Sequence, residues 1–142
     1  MNSFESKISS LQKIFLSCQT KEGIYQTILE WGARLTPLKT ELNTPENLVD
    51  GCQSKTYVYG FQNEGKCFFQ ASSDALISAG LAHILCYAYS GETPERILQD
   101  KGTFLQDLGL LSSLSLNRSN GLSQMLYHIK KKALQMLTTV LQ

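Results

Sequence analysis

Apolar residues recur at helical intervals toward both ends of the chain and approach strand-like alternation only in the middle. Phe4, Ile8, Leu11 and Phe15 return every three or four positions, which predicts an amphipathic helix over 4–16. Ile24, Ile28, Trp31 and Leu35 form a second stripe, in a segment that opens at Gly23 and stops at Pro37. Proline restricts the residue before it and has no amide to continue the ladder. Periodicity then fades over 36–54, where Pro37, Asn43, Pro45, Asn47 and Gly51 accumulate. A connection of that length in a compact domain is often functional.

Two strands are predicted at 55–62 and 66–72, rich in Tyr, Phe, Val and Thr, with Asn63-Glu64-Gly65 as the hairpin turn. Tyr57-Val58-Tyr59 is apolar on both faces, so helices should cover much of the sheet. Ser72-Ser73-Asp74 reads as a helix N-cap, and the following segment to Tyr89 is apolar on nearly every side, as in a core helix. Gly91 ends it. Thr93-Pro94-Glu95 has the cap, proline and early acid of a short helix start. A short helix followed by a loop is predicted over 104–116. Ser119 then caps a long final helix whose inner side carries Leu122, Met125, Leu126, Ile129, Ala133, Met136, Leu137 and Val140. The expectation is one α+β domain over 1–142, a small antiparallel sheet packed with helices.

Composition narrows the function classes. With 42% apolar and 18% charged residues in 142, the chain is of the soluble globular kind. A net charge of +1 gives no dominant attraction to nucleic acid or to an anionic membrane. Lys130-Lys131-Lys132 fans around a helix and reads as a solvated face before it reads as a phosphate patch. No apolar stretch approaches the ~18 residues of a membrane span. The first residues lack a signal-peptide core, so the expected location is cytoplasmic, where thiols stay reduced. Cys18, Cys52, Cys67 and Cys86 contain no CxxC pair, and His83 and His128 fall inside helical patterns, so no metal site is expected.

Cys52 differs from the other three cysteines, each of which lies in or at the end of an apolar segment. It sits in Gly51-Cys52-Gln53-Ser54, where the long connection enters the first strand. Gly51 allows close backbone approach, and the amides of Gln53 and Ser54 are placed to face an anionic sulfur. A thiol is nucleophilic only as thiolate, and an ordinary one titrates near ~8.5 unless a cation or helix start lowers it. From the residues alone, Cys52 is either a presented thiol or a partly buried loop cysteine without a role. Asp74 suits a helix start electrostatically, whatever else it does. Arg118, just ahead of the predicted Ser119 cap, is unfavourable at a helix start, which leaves it aimed at an anion or serving structure.

The segment Asn47-Leu48-Val49-Asp50-Gly51-Cys52-Gln53-Ser54 resembles the cysteine loop of the SufE family of sulfur-acceptor proteins. The likeness continues through Ser73-Asp74-Ala75, Gly80-Leu81, Thr93-Pro94 and Arg118-Ser119-Asn120-Gly121-Leu122, with Leu35-Thr36-Pro37-Leu38 upstream. It covers about residues 20–135 in order. After the loop, members commonly place a Val-Trp pair where this chain has Thr56-Tyr57.

The resemblance implies a fold with a three-stranded antiparallel sheet and a protein that pairs with a PLP-dependent cysteine desulfurase. It implies Cys52 as a persulfide carrier, loaded by the desulfurase and emptied onto an iron–sulfur assembly scaffold. Gly51, Gln53, Ser54, Asp74 and Arg118 follow as residues of the loop's setting or of docking. Any cofactor belongs to the partner. The chain is then an accessory protein, monomer or weak homodimer, rather than a free-standing enzyme. A loop that shields a persulfide and also delivers it must switch, with Gly51 as one hinge. Two other readings stay open: a docking module that activates a desulfurase without carrying sulfur, and a cysteine hydrolase, for which no base is visible.

Overall fold

A computed structural model describes residues 3–141, without the side chains of Ser3, Val140 and Leu141; Val140, the last of the predicted inner stripe, lies outside the described side chains. Helix α1, Ser3–Leu16, buries Phe4, Leu11 and Phe15, the residues that its spacing placed on one face. Helix α2, Lys21–Arg34, starts two residues before Gly23 because the Thr20 hydroxyl accepts the Gly23 amide at 3.0 Å. Leu35 caps its end, two residues ahead of Pro37. The long connection is ordered by two 3-10 turns, Thr40–Leu42 and Pro45–Asn47.

Strands β1, Thr56–Asn63, and β2, Lys66–Ser73, pair antiparallel from Thr56↔Ser73 to Asn63↔Lys66. Glu64 and Gly65, both at positive φ (53° and 78°), form the two-residue turn whose twist suits a hairpin. The expected third strand is not formed among the described residues. One isolated bridge flanks each edge instead, Leu48↔Tyr57 beside β1 and Cys67↔Glu92 beside β2. Neither can extend. Leu48 leaves a 3-10 turn and the chain swings away at Gly51, φ 81°, while Glu92 is followed by Thr93, which caps the next helix, and by Pro94, which has no amide to donate.

Helix α3, Leu76–Tyr89, is the central element, with eleven of its fourteen residues buried. Its N-cap is Ala75 and not the Ser72-Ser73-Asp74 group, because β2 holds the chain extended through Ser73. Helices α2 and α3 cross with their backbones nearly touching. A Cβ on Gly80 would stand 2.0 Å from the Ile28 carbonyl oxygen, and one on Gly32 would stand 2.2 Å from that of Leu76.

Helix α4, Pro94–Gln99, has the expected Thr93 cap on the Arg96 amide. The predicted helix and loop over 104–116 are two short helices, α5, Thr103–Asp107, and α6, Leu110–Ser113. Helix α7, Leu116–Leu141, begins earlier than expected because the Ser115 hydroxyl, not Ser119, accepts the Arg118 amide. Leu122, Met125, Ile129 and Ala133 are buried on its inner side and join one apolar cluster that begins at Phe4. No described helix is long and apolar enough to cross a membrane.

Candidate functional site

Cys52 stands in a cleft bounded by its own loop, the start of α3 and the first turns of α7. Gln53, Ser54, Ser78, Leu81, Asn117, Arg118, Gly121 and Met125 complete the wall. The Cys loop is held on several sides. Val49 donates its amide to the Thr56 carbonyl at 2.8 Å, and Lys132 donates to buried Asn47 Oδ1 at 2.7 Å. Asn47 in turn donates to the Leu42 carbonyl at 2.8 Å. Gly51, in the left-handed region that disfavours other residues, lies against Gln124 of α7.

The sulfur is half-buried. Its Sγ lies 3.7 Å from the Gly121 carbonyl oxygen, and a Cβ on Gly121 would sit 3.6 Å from it. The open void beside it is about 10 Å³, roughly the room of one water-sized group. Beneath it runs a chain of hydroxyls. Ser54 Oγ donates to Ser78 Oγ at 2.9 Å and lies 3.1 Å from Thr56 Oγ1, which is 2.9 Å from Ser73 Oγ. Arg118 Nη1 donates to the same Ser78 Oγ at 3.0 Å, which brings the cation to the thiol's side.

Burial pushes the Cys52 thiol above its ordinary value, while a hydrogen bond from Thr56 and the Arg118 charge pull it back down. The resting group is therefore a guarded thiol with thiolate-stabilising partners already in place. Thr56 and Arg118 are the groups that favour the charged sulfur, and Gln53 and Ser54 stand in the same wall.

The structure places the remaining predicted residues as follows. Arg118 is in the first turn of α7, with its guanidinium turned onto Ser78, so its tension with the helix start is met by a specific partner. Asp74 does not touch Cys52. Its Oδ1 accepts the Lys55 amide at 3.0 Å, and its own amide donates to the Lys55 carbonyl at 3.2 Å. That reciprocal pair pins the chain three residues after the cysteine. Neither histidine pairs with Cys52. His83 Nδ1 meets the Trp31 carbonyl at 2.8 Å, and His128 Nε2 meets that of Val58 at 3.2 Å.

Cys67 and Cys86 are buried, and Cys18 is half-buried beside Thr27 Oγ1 at 3.2 Å. Among the described residues no three His, Cys, Asp or Glu side chains converge as a metal site would need. Sequence reasoning missed Thr56, Ser78 and Gly121. Ser78 carried a signal, a hydroxyl inside an otherwise apolar helix; Thr56 stands where Val was the expected residue, and Gly121 belongs to the matched Arg118–Leu122 segment without having been singled out.

Comparisons with known proteins bear on the family and the fold. The family model "SufE: Fe-S metabolism associated domain" matches residues 9–133. "SufE-like protein 1, chloroplastic/mitochondrial" of Arabidopsis thaliana is 37% identical over 131 residues, 92% of this chain and 35% of the relative. The chain thus spans about a third of that relative's length, and the relative's name gives an organellar compartment. Among solved structures, a hypothetical protein from Thermus thermophilus superposes with a TM-score of 0.76 at 25% identity, over 93% of this chain and 96% of the other.

Proposed function

The chain belongs to the SufE family, associated with Fe–S metabolism, and from that membership and the setting of Cys52 we propose that it is a sulfur acceptor for a cysteine desulfurase. The partner presents a cysteine persulfide. Cys52 loses its proton and attacks the outer sulfur; a new S–S bond forms at Cys52 as the old one breaks. The partner's cysteine leaves as thiolate and takes up the proton. One sulfur atom moves, and no external oxidant or reductant is consumed. Cys52 then passes that sulfur to an iron–sulfur assembly scaffold.

The observation that carries this reading is the fit around Cys52. A void of about 10 Å³ in the cleft leaves room for no more than one small group, of which a single sulfur atom is one. Arg118 and Thr56 favour an anionic sulfur there, while burial shields it from bulk thiols. The same burial keeps the free protein unreactive, so docking must open the loop, with Gly51 and Gln124 as the contact that parts. Leu116, 77% exposed and two residues before Arg118, and Leu76, 50% exposed and two before Ser78, offer apolar surface at the mouth for the desulfurase.

Incubation with the desulfurase and L-cysteine, followed by intact and peptide mass spectrometry, should show one added sulfur on Cys52. Cys52→Ser should carry none and should not stimulate desulfurase turnover. Stimulation by Cys52→Ser equal to that of the native protein would replace sulfur transfer with docking alone.

A further inference from the structure

A second, open concavity of about 1110 Å³, near the C-terminal half of α3, shares no lining residue with the Cys52 cleft. Its walls come from α1, the end of α2 and the connection that follows it, both strands, and α3. That volume is the size of a site for a whole small molecule. Tyr59, Phe61, Phe69 and Tyr87 are its aromatic lining. Tyr59 and Phe61 stack at 5.8 Å and 28°, and Phe68, outside the lining, stacks on Phe61 across the hairpin at 5.6 Å and 21°. Tyr87, the aromatic that α3 contributes, stands edge-on at 5.6 Å to Trp31, which lies outside the lining.

The sheltered charge is paired, and the unpaired charge is exposed. Lys7 is neutralised by Glu92 at 2.9 Å. Arg34 and Lys39 remain as exposed cations against a single acid, Glu41. The Arg34 guanidinium is held 5.5 Å from the centre of the Trp31 ring, which does not itself line the groove. Flat ring faces inside and a cationic excess at the edge complement one kind of molecule.

We propose that this groove binds a small amphipathic anion, a flat apolar ring body bearing one acidic group. The groove is formed without Cys52 and is independent of sulfur transfer. The two exposed cations on its rim, Arg34 and Lys39, favour such a molecule over an apolar partner helix.

The test compares two fluorescent probes on the full chain at low salt: anilinonaphthalene sulfonate, and phenylnaphthylamine, the same ring system without its acid. The sulfonate should bind at one site and more tightly than the neutral probe by about fivefold, the scale of contacts with two exposed cations. The combined Arg34→Glu and Lys39→Glu changes, both on exposed residues, should abolish that preference and leave the neutral probe bound. Phe61→Ser should weaken both probes. Equal binding of the two probes to the native chain would overturn anion recognition. Binding of either probe undiminished by Phe61→Ser would place it elsewhere and overturn the site, as would no binding at all.

Discussion

Helix α3 contributes to two concave sites, and they differ in kind. Toward its N-terminus, Ser78 and Leu81 line a void of about 10 Å³; further along, His83, Cys86, Tyr87 and Ser90 line one of about 1110 Å³. In the small site the polar groups converge and already hydrogen-bond one another, from Arg118 through Ser78 and Ser54 to Thr56. In the large one Tyr59, Phe61, Phe69 and Tyr87 supply ring surface, and the exposed cations Arg34 and Lys39 have no such convergent network. A carrier that holds its cargo by a covalent bond needs little recognition volume and much control of one atom's ionisation. A site that holds its ligand by contact needs the reverse. The same helix serves both because its apolar length is locked against α2 and the sheet, while its polar residues fall at separate points along it.

The largest effect should come from breaking what the two sites share. Gly80 and Gly32 let α2 and α3 cross at backbone contact, and a methyl at Gly80 would sit 2.0 Å from a carbonyl oxygen. Main chain cannot yield as a side-chain tip would. Gly80→Ala should cost ~3 kcal/mol in chemical denaturation and disturb both sulfur loading at Cys52 and probe binding in the groove. If either readout survives at native strength while stability falls, the sites do not depend on a common frame.

The two regions were also unequally legible in the sequence. Cys52 was readable because its neighbours are consecutive: glycine, thiol and small polar residues at the mouth of a strand. The groove was not, because Arg34, Lys39, Tyr59, Phe61 and Tyr87 come from separate elements and each looks like ordinary core or surface. Helix spacing placed α1, α2, α3 and α7 correctly to within a few residues. The errors fell at boundaries set by tertiary bonds. Ser73 stayed extended because β2 claims it, and α7 began early because Ser115 caps it. The third strand failed because pairing partners must be straight as well as adjacent, and a turn at Gly51 and a helix cap at Thr93 prevent that. Gln53, Ser54 and Arg118 line one cleft with Cys52, while Gly51 packs on Gln124. The hydroxyl under the sulfur came from Thr56, whose contribution depends on the hairpin's register and not on its neighbours in sequence.

A narrower perturbation separates the sites. Arg118→Ala removes the cation that favours the Cys52 thiolate and leaves the groove untouched. With that charge gone, the thiol's ionisation should move further up, so at fixed pH less of it is thiolate. Iodoacetamide alkylation of Cys52 near neutral pH should slow by up to ~tenfold, the equivalent of one pKa unit. Its pH midpoint should rise, and Arg118→Lys should restore most of the rate. A midpoint that stays in place would mean that Arg118 acts only through Ser78 as a structural strut. Probe binding in the groove should be unchanged, and a change there would deny the separation of the two regions.

The smallest effect concerns the thiol in the groove wall. Cys86 is buried among apolar residues, which pushes its ionisation up from 9.0 to about 12. An unfolded chain loses that proton near the ordinary value while the native chain keeps it. The native state therefore binds more protons than the unfolded state above that value, and stability falls as pH rises. For one such thiol the loss is about 1 kcal/mol by roughly pH 10, and it grows until the native group itself ionises. Cys86→Ala should remove about that much of the alkaline decline in denaturation free energy, measured against the same variant at neutral pH. Cys52→Ser should remove less, because Cys52 is half-buried and Arg118 and Thr56 hold its ionisation down. Equal effects from the two substitutions would put the two thiols in equivalent surroundings, against the contrast between a site that readies its sulfur and a wall that silences it.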